Sequence, residues 1–377
     1  MEGIVLALFV CLILAIVTRY FSVPPIPFYI IGGILLGQSG LALVAPDGIS
    51  AFFSEMGLVF LLFFMGLELK LDRIATSGSA VLAGGIIDLN INMLIGFLAA
   101  YLLGFPLIES LVIASAFYIS STAMAITSLV ENRKLMMREA ETIIWLMVFE
   151  DLILIIFLAI ISLKDQNPLL FLVKIAVVLG VLYVLAHYGK EFLVSILDRT
   201  DELPILFTFG AVLTTAAFSI YIGIPETMMV IALGAALSTT DPDAFEQHAR
   251  PFKDVFLVLF FVFFGISINL SGGVNIFVIG IISLLAIASK FISGILTGIS
   301  MHGSALSGIE IWGNTIGRGE FSIALAALYG SPPVATVIAA MVVITSIAGS
   351  FAAKYTGRLR HWLTSPARRV SRRQRAR

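Results

Sequence analysis

The chain alternates long apolar runs with short polar breaks. Cutting it at Pro, Gly and charged positions leaves apolar stretches near 2–20, 27–44, 49–70, 78–103, 107–130, 138–162, 168–192, 203–221, 226–240, 250–268, 274–299, 303–330 and 333–356. Most of these thirteen exceed the roughly 20 residues a helix needs to cross a ~30 Å hydrocarbon layer, 226–240 being the short one. Within lipid a helix satisfies every backbone group inside its own segment. The pattern therefore predicts an all-α membrane protein with thirteen transmembrane helices, and the odd number puts the termini on opposite sides.

Composition agrees. Of 377 residues, 59% are apolar and 12% are charged, against about 25% charged in an ordinary soluble domain. A soluble enzyme is excluded, because one core could not hide that much apolar surface. The single cysteine, Cys11, rules out an intramolecular disulfide, and four histidines leave little for zinc or haem, so no cofactor is expected. An intramembrane enzyme would need a set such as HExxH or GxGD, and neither occurs.

The net charge of −1 conceals a basic end: residues 354 to 377 carry nine Lys/Arg and no Asp/Glu. Beside a transmembrane helix, RRVSRRQRAR reads as a positive-inside anchor facing anionic lipid rather than as a nucleic-acid site. Sorting the loops alternately puts Arg19, Lys70, Arg73, Arg133, Lys134, Arg138, Lys190, Arg199, Arg250, Lys253 and the tail on one side, with only Lys164 opposite. That predicts an outside N-terminus and a cytoplasmic C-terminus in the plasma membrane. The first helix lacks a basic n-region and a cleavage site, so it reads as a retained span.

The two halves resemble one another. VFLLFFMGLEL (59–69) and VLFFVFFGISI (258–268) align at an offset of 199 residues, which sets Phe64 on Phe263 and Gly66 on Gly265. The offset pairs helices 1–6 with helices 8–13, and the odd helix between them reverses the second copy. The expected organisation is a first inverted repeat over 1–162, a linker helix over 163–202, a second repeat over 203–356 and a basic cytoplasmic tail over 357–377. Inverted repeats of this kind are a signature of secondary transporters.

Polar residues mark the centre of the membrane. Glu150 and Asp151 lie mid-span in WLMVFEDLILIIF, where each ionised carboxylate costs about 2.5–3.5 kcal/mol on insertion scales. Adjacent helical positions point about 100° apart, so the two acids have different neighbours. Lys290, in IASKFISG of the eleventh span, is a candidate counter-charge, whereas Lys174 is near enough to a helix end to snorkel. The fifth span is broken at Tyr118-Ile119-Ser120-Ser121-Thr122 and the twelfth at Gly313 to Glu320, and the offset places Ser121 against Glu320. Two discontinuous helices at equivalent positions point to a transporter binding site. Arg318 and Glu320 read as a structural pair neutralising the broken helix ends. Asp88 with Asn92 reads as an interhelical hydrogen-bonding face, and Glu310 as a cytoplasmic funnel residue.

The ISSTA of span five, the VFED of span six, Lys290 in span eleven and GRGEF (317–321) in span twelve resemble the monovalent cation:proton antiporter-2 family. The resemblance covers essentially the whole membrane chain. It implies thirteen helices with two discontinuous crossing helices (5 and 12), a core domain and a dimerisation domain forming a homodimer. It also implies that Asp151 binds cation or proton. The preceding position, Asp in electrogenic members and Asn or Gln in others, is Glu150 here, which keeps a salt bridge with Lys290 available.

The expected function is thus secondary antiport of protons against a monovalent cation, with Na+ favoured over Li+ and K+. Proton and cation compete for Asp151, and Glu150, Ser120, Ser121 and Thr122 complete the expected set of hard oxygen groups at the cation site. The runner-up is a Kef-like K+/H+ antiporter. From other classes come a cation channel and an organic-anion symporter of similar fold, the latter disfavoured by two buried acids.

Overall fold

The computed structural model describes residues 2–21, 23–69, 79–163, 167–270 and 274–364. Among them the chain forms sixteen α-helices and no strand. In order these are α1 (Glu2–Phe21), α2 (Pro25–Leu36), α3 (Gly48–Glu68), α4 (Ser79–Leu102), α5 (Leu107–Tyr118), α6 (Thr122–Glu131), α7 (Arg138–Ser162) and α8 (Pro168–Tyr188). They continue as α9 (Lys190–Leu197), α10 (Leu203–Ile222), α11 (Glu226–Leu237), α12 (Pro242–Ser267), α13 (Ile276–His302), α14 (Ala305–Thr315), α15 (Glu320–Tyr329) and α16 (Pro332–Thr364). Nine segments among the described residues are long and apolar enough to cross a membrane, and α2, α11 and α15 are shorter apolar helices. The chain is a multi-pass membrane protein, helical and without strands among the described residues.

Helix ends follow local chemistry. Asp47 caps α3: its carboxylate accepts the Ser50 N–H at 2.7 Å while the Ser50 hydroxyl accepts the Asp47 N–H at 2.8 Å. Asn167 caps α8 and Asn275 caps α13, each through its side-chain oxygen. Gly223 and Gly303 end α10 and α13 in the left-handed conformation that glycine adopts without a Cβ penalty.

Some boundaries differ from the apolar pattern. The stretch expected as a helix over 27–44 stops at Leu36, because the N–H groups of Leu41, Leu43 and Val44 turn back onto the carbonyls of Leu35 and Leu36. Helix α12 starts at Pro242, well before the expected 250, because Asp241 accepts the Ala244 N–H and Pro242 sits in the first turn. Helix α16 runs to Thr364, eight residues into what reads as a solvated tail. Residues 365–377, together with Lys70, Arg73 and Lys164, lie outside the described residues.

The helices assemble into two compact units, each drawing on both halves of the sequence. One comprises the described residues of 1–14, 29–77 and 151–268, the other those of 15–28, 78–150 and 269–377. In the first, α3 packs on α11 and α12. Gly66 approaches so closely that a Cβ there would meet the Gly234 Cα at 2.9 Å, and a Cβ on Gly265 would meet the Gly33 Cα at 3.0 Å. Phe60, Phe252 and Phe256 stack beside these crossings.

The second unit is built on α4, α5, α13, α14, α15 and α16. Small residues again set the spacing: a Cβ on Gly294 would reach the Gly308 carbonyl oxygen at 3.0 Å. Ala125, Leu129, Ala140, Ile143, Leu146, Met147 and Ile311 form a buried apolar cluster around α6, α7 and α14. This unit holds Asp88, Asn92, Ser120, Ser121, Thr122, Glu150, Lys290, Glu310, Arg318 and Glu320, whereas Asp151 and Lys174 belong to the first.

Candidate functional site

Two helices of the second unit are interrupted, and the interruptions touch. Helix α5 ends at Tyr118, Ile119 takes an extended conformation, and Ser121 caps α6 by accepting the Met124 N–H at 3.3 Å. Helix α14 ends at Thr315 and α15 restarts at Glu320. Across the gap the Ser121 N–H donates to the Gly317 carbonyl at 2.7 Å, and the Ser120 hydroxyl to the Thr315 carbonyl at 2.9 Å. The Ser121 hydroxyl donates to Glu320 Oε2 at 3.2 Å. Gly319 permits this approach, since a Cβ there would lie 2.5 Å from the Ser121 Cβ and Oγ.

Breaking a helix leaves about half a positive charge at each new N-terminus and half a negative charge at each new C-terminus. Arg318, fully buried, answers the negative ends. Its Nε and Nη2 donate to the Phe117 carbonyl at 3.0 and 2.7 Å, and its Nη1 to the Ile316 carbonyl at 2.6 Å. A further Nη2 bond reaches the Ala286 carbonyl of α13 at 3.1 Å. Carboxylates answer the positive ends: Glu320 opens α15, and Glu150 accepts the Ser120 N–H just ahead of the α6 cap. Arg318 and Glu320, expected as a pair, act on separate helix ends, and among the described residues no ion pair joins them.

Glu150 is 1% exposed and Lys290 not at all. Lys290 Nζ donates to Glu150 Oε1 at 2.8 Å and equally to Asp88 Oδ2 at 2.8 Å. The Ser120 hydroxyl shares its one proton between the Thr315 carbonyl and Glu150 Oε1, the latter at 3.1 Å. Asp88 is fixed in turn by the Ser293 hydroxyl at 2.6 Å and the Asn92 amide at 2.9 Å, and Asn92 accepts the Ser289 hydroxyl at 2.7 Å. The Tyr118 ring faces the ammonium, its centroid 5.3 Å from Nζ. Removing one member of such a buried ion network strands its partners, at about 3–5 kcal/mol.

Asp151 follows Glu150 on α7 and is half-buried. Thr122 opens α6. Ser120 and Ser121 have their hydroxyl protons committed to oxygen acceptors. Their lone pairs remain of the right chemistry for a hard cation.

Three residues came out differently from, or beyond, the sequence reading. Asp88, read as one face of a hydrogen-bonded helix contact, is an ion-pair partner of Lys290. Its signal was present as two polar pairs at four-residue spacing, Asp88/Asn92 and Ser289/Ser293, on helices that turn out to be neighbours. Glu310, expected in a funnel, is 1% exposed and bonded to Lys134 Nζ at 2.7 Å. Lys134, counted only as a loop charge, also donates to the Ala353 carbonyl and the Thr356 hydroxyl.

Comparison with known proteins adds independent information. Residues 4–355 match the profile of a family described as sodium/hydrogen exchanger, transmembrane. A Bacillus subtilis (strain 168) protein named K(+)/H(+) antiporter subunit KhtU is 31% identical over 343 residues, covering 85% of this chain and 84% of that one. An Alkalihalophilus pseudofirmus protein named ammonium/H(+) antiporter subunit AmhT is 26% identical over 322 residues, covering 81% and 80%. The structure of the sodium proton antiporter MjNhaP1 from Methanocaldococcus jannaschii superposes with a TM-score of 0.71 at 18% identity, over 94% of this chain and 96% of that one. At that identity the likeness is one of fold.

Proposed function

The chain belongs to the transmembrane sodium/hydrogen exchanger family, a family of cation/proton antiporters, and on that premise we propose that it exchanges protons for a monovalent cation by alternating access at Asp151. The observation that carries the reading is the pair of touching helix breaks, with the buried Glu150–Lys290–Asp88 network joined to them through Ser120 and Asp151 next along α7. A carboxylate in the middle of a membrane span binds either a proton or a desolvated cation. The two compete, and that competition couples their fluxes.

In the cycle, Asp151 releases its proton to one side and takes the cation there, with Ser120, Ser121 and Thr122 completing an oxygen shell. The neutralised site then opens to the other side, and the cation leaves as the proton returns. An empty, charged Asp151 holds the site still, which prevents leak. The name of the 31% identical relative favours K+ as the cation; Na+ is the other reading, supported by the family description.

The proposed membrane topology counts α5/α6 and α14/α15 as one pass each and leaves α9 between passes, giving thirteen. Two features support an inverted repeat. The Gly66/Gly234 and Gly265/Gly33 crossings are equivalent in kind, and Ser121 meets its offset partner Glu320. On this topology the N-terminus is outside and the C-terminus cytoplasmic, in a plasma-membrane homodimer.

The test follows internal pH in proteoliposomes after addition of Na+, Li+, K+ or choline chloride, for wild type and Asp151→Asn. Cation-dependent proton movement that Asp151→Asn abolishes is the expected result. Movement unchanged in that variant, or absent with every cation, would overturn the proposal.

A further inference from the structure

Lys290 touches two carboxylates, and that arrangement bears on how many protons move. A lysine held by one carboxylate that itself changes partners can give up its proton once the carboxylate turns away. Lys290 instead has a second acid, Asp88 on α4, at the same 2.8 Å as Glu150 on α7. Asp88 is locked from two directions, by the Ser293 hydroxyl of α13 and by Asn92 one turn along α4. Asn92 is itself held by Ser289, the residue before Lys290. Helices α4 and α13 pack on each other, and Ser293, Ser289 and Asn92 all lie on these two helices, so the Asp88–Lys290 contact is held without Glu150.

The other groups around the ammonium reinforce this. The titratable and charged side chains against it are Asp88, Glu150 and the Tyr118 ring, and the buried Arg318 guanidinium, held on the Phe117 and Ala286 carbonyls, is within electrostatic reach of both acids. The two acids balance the two fixed cations. Loss of the Lys290 proton would leave a neutral amine between two buried carboxylates, with one negative charge unmatched.

We propose that Asp88 is a positioning residue that keeps Lys290 protonated through the whole cycle, so that Lys290 is a permanent counter-charge and exchange is one proton for one cation. The balance is then carried by Asp151 alone: its carboxylic acid gives up one proton as the carboxylate takes one monovalent cation, and no charge crosses in a complete turn. This rests on the antiport reading above, which fails separately if wild type moves no protons at all.

The experiment finds the pH gradient that just stops net flux in proteoliposomes under a fixed cation gradient, at zero and at imposed membrane potential. For wild type a tenfold cation gradient should be balanced by about one pH unit, which is a tenfold proton gradient, and potential should not move the balance point. Asp88→Asn should release Lys290 to carry a second proton, moving the balance to about half a unit and making it voltage-sensitive. Adding Lys290→Arg, whose guanidinium keeps its proton, should restore the wild-type balance, a rescue that a merely structural Asp88 would not show. Wild type balancing at half a unit, or Asp88→Asn balancing as wild type does, overturns the proposal. If Asp88→Asn does not fold, Ser293→Ala, which loosens Asp88, should shift the balance in the same direction, and an unmoved balance there is equally fatal.

Discussion

Ser121 and Glu320 stand 199 positions apart in the chain and touch, the serine hydroxyl donating to the glutamate at 3.2 Å. Each opens a half-helix: Ser121 caps α6 and Glu320 is the first residue of α15. The contact joins the N-terminal ends of both restarted helices, while Arg318 binds the carbonyls of both that stop. The two breaks therefore share one set of compensating charges. Neither could be satisfied alone, because orphan backbone groups at buried helix ends need partners.

The Lys290 ammonium is shared by two buried carboxylates, so its removal should be severe. Lys290→Met leaves Asp88 and Glu150 buried without their cation, and a loss of about 3–5 kcal/mol is expected. Combining it with Asp88→Asn and Glu150→Gln removes the stranded charges and should recover much of that loss. Thermal unfolding of the purified variants in detergent reads both; equal destabilisation of the single and triple variants would show that packing, not charge, sets the cost.

Much of this was legible in the sequence. Glu150 and Lys290 announce themselves because ionised groups amid apolar helix are costly, and the breaks at 118–122 and 313–320 because Gly, Ser and Thr runs interrupt apolar periodicity. Asp88 was harder. An acid with an asparagine four residues on looks locally satisfied, and only the packing of α4 against α13 puts it on Lys290. Lys134 with Glu310 was illegible for the same reason, its members 176 residues apart and each ordinary beside its own neighbours. Helix ends set by side-chain caps, such as Asp241 before α12, were hidden by the polarity of the following turn.

Close glycine crossings in the first unit predict a steric cost. A methyl at Gly66 would meet the Ala235 N and the Gly234 Cα at 2.9 Å, backbone atoms that cannot swing aside. Gly66→Ala should therefore cost about 1–3 kcal/mol, toward the upper end for overpacking. Gly180→Ala on α8, where nothing lies within 4 Å, should be neutral or gain up to about 1 kcal/mol from helix propensity. Scanning fluorimetry on the two variants gives the comparison, and a Gly66→Ala protein as stable as the Gly180→Ala one would contradict the close crossing.

Asp47 gives α3 a pH-sensitive start. The Ser50 N–H and hydroxyl, in that order, hold its carboxyl below the ordinary aspartate value of 3.8. A depressed value means the cap stabilises fully above the ordinary value and is lost as pH falls through the lowered one. The ratio of Ser50 amide exchange in Asp47→Ala to that in wild type should be large at neutral pH and fall toward one as the pH drops below that of an ordinary aspartate. A ratio that stays constant across the range would mean the carboxylate is not the cap.

The buried Lys134–Glu310 pair offers a sharper test of charge against packing. Lys134 Nζ is fully used, donating to Glu310 Oε2 at 2.7 Å, the Ala353 carbonyl at 2.6 Å and the Thr356 hydroxyl at 2.7 Å. Glu310 Oε1 has no hydrogen-bond partner among the described residues, so the carboxylate depends on Oε2 alone, where Thr356 also donates at 2.8 Å. Lys134→Met should strand that carboxylate and cost about 3–5 kcal/mol, whereas replacing a whole buried pair by apolar residues is often neutral or better. Lys134→Met with Glu310→Leu is therefore expected to be markedly more stable than Lys134→Met alone. Melting temperatures of the two proteins decide it: a double variant no better than the single would place the stabilisation in Lys134's bonds to Ala353 and Thr356 rather than in the ion pair.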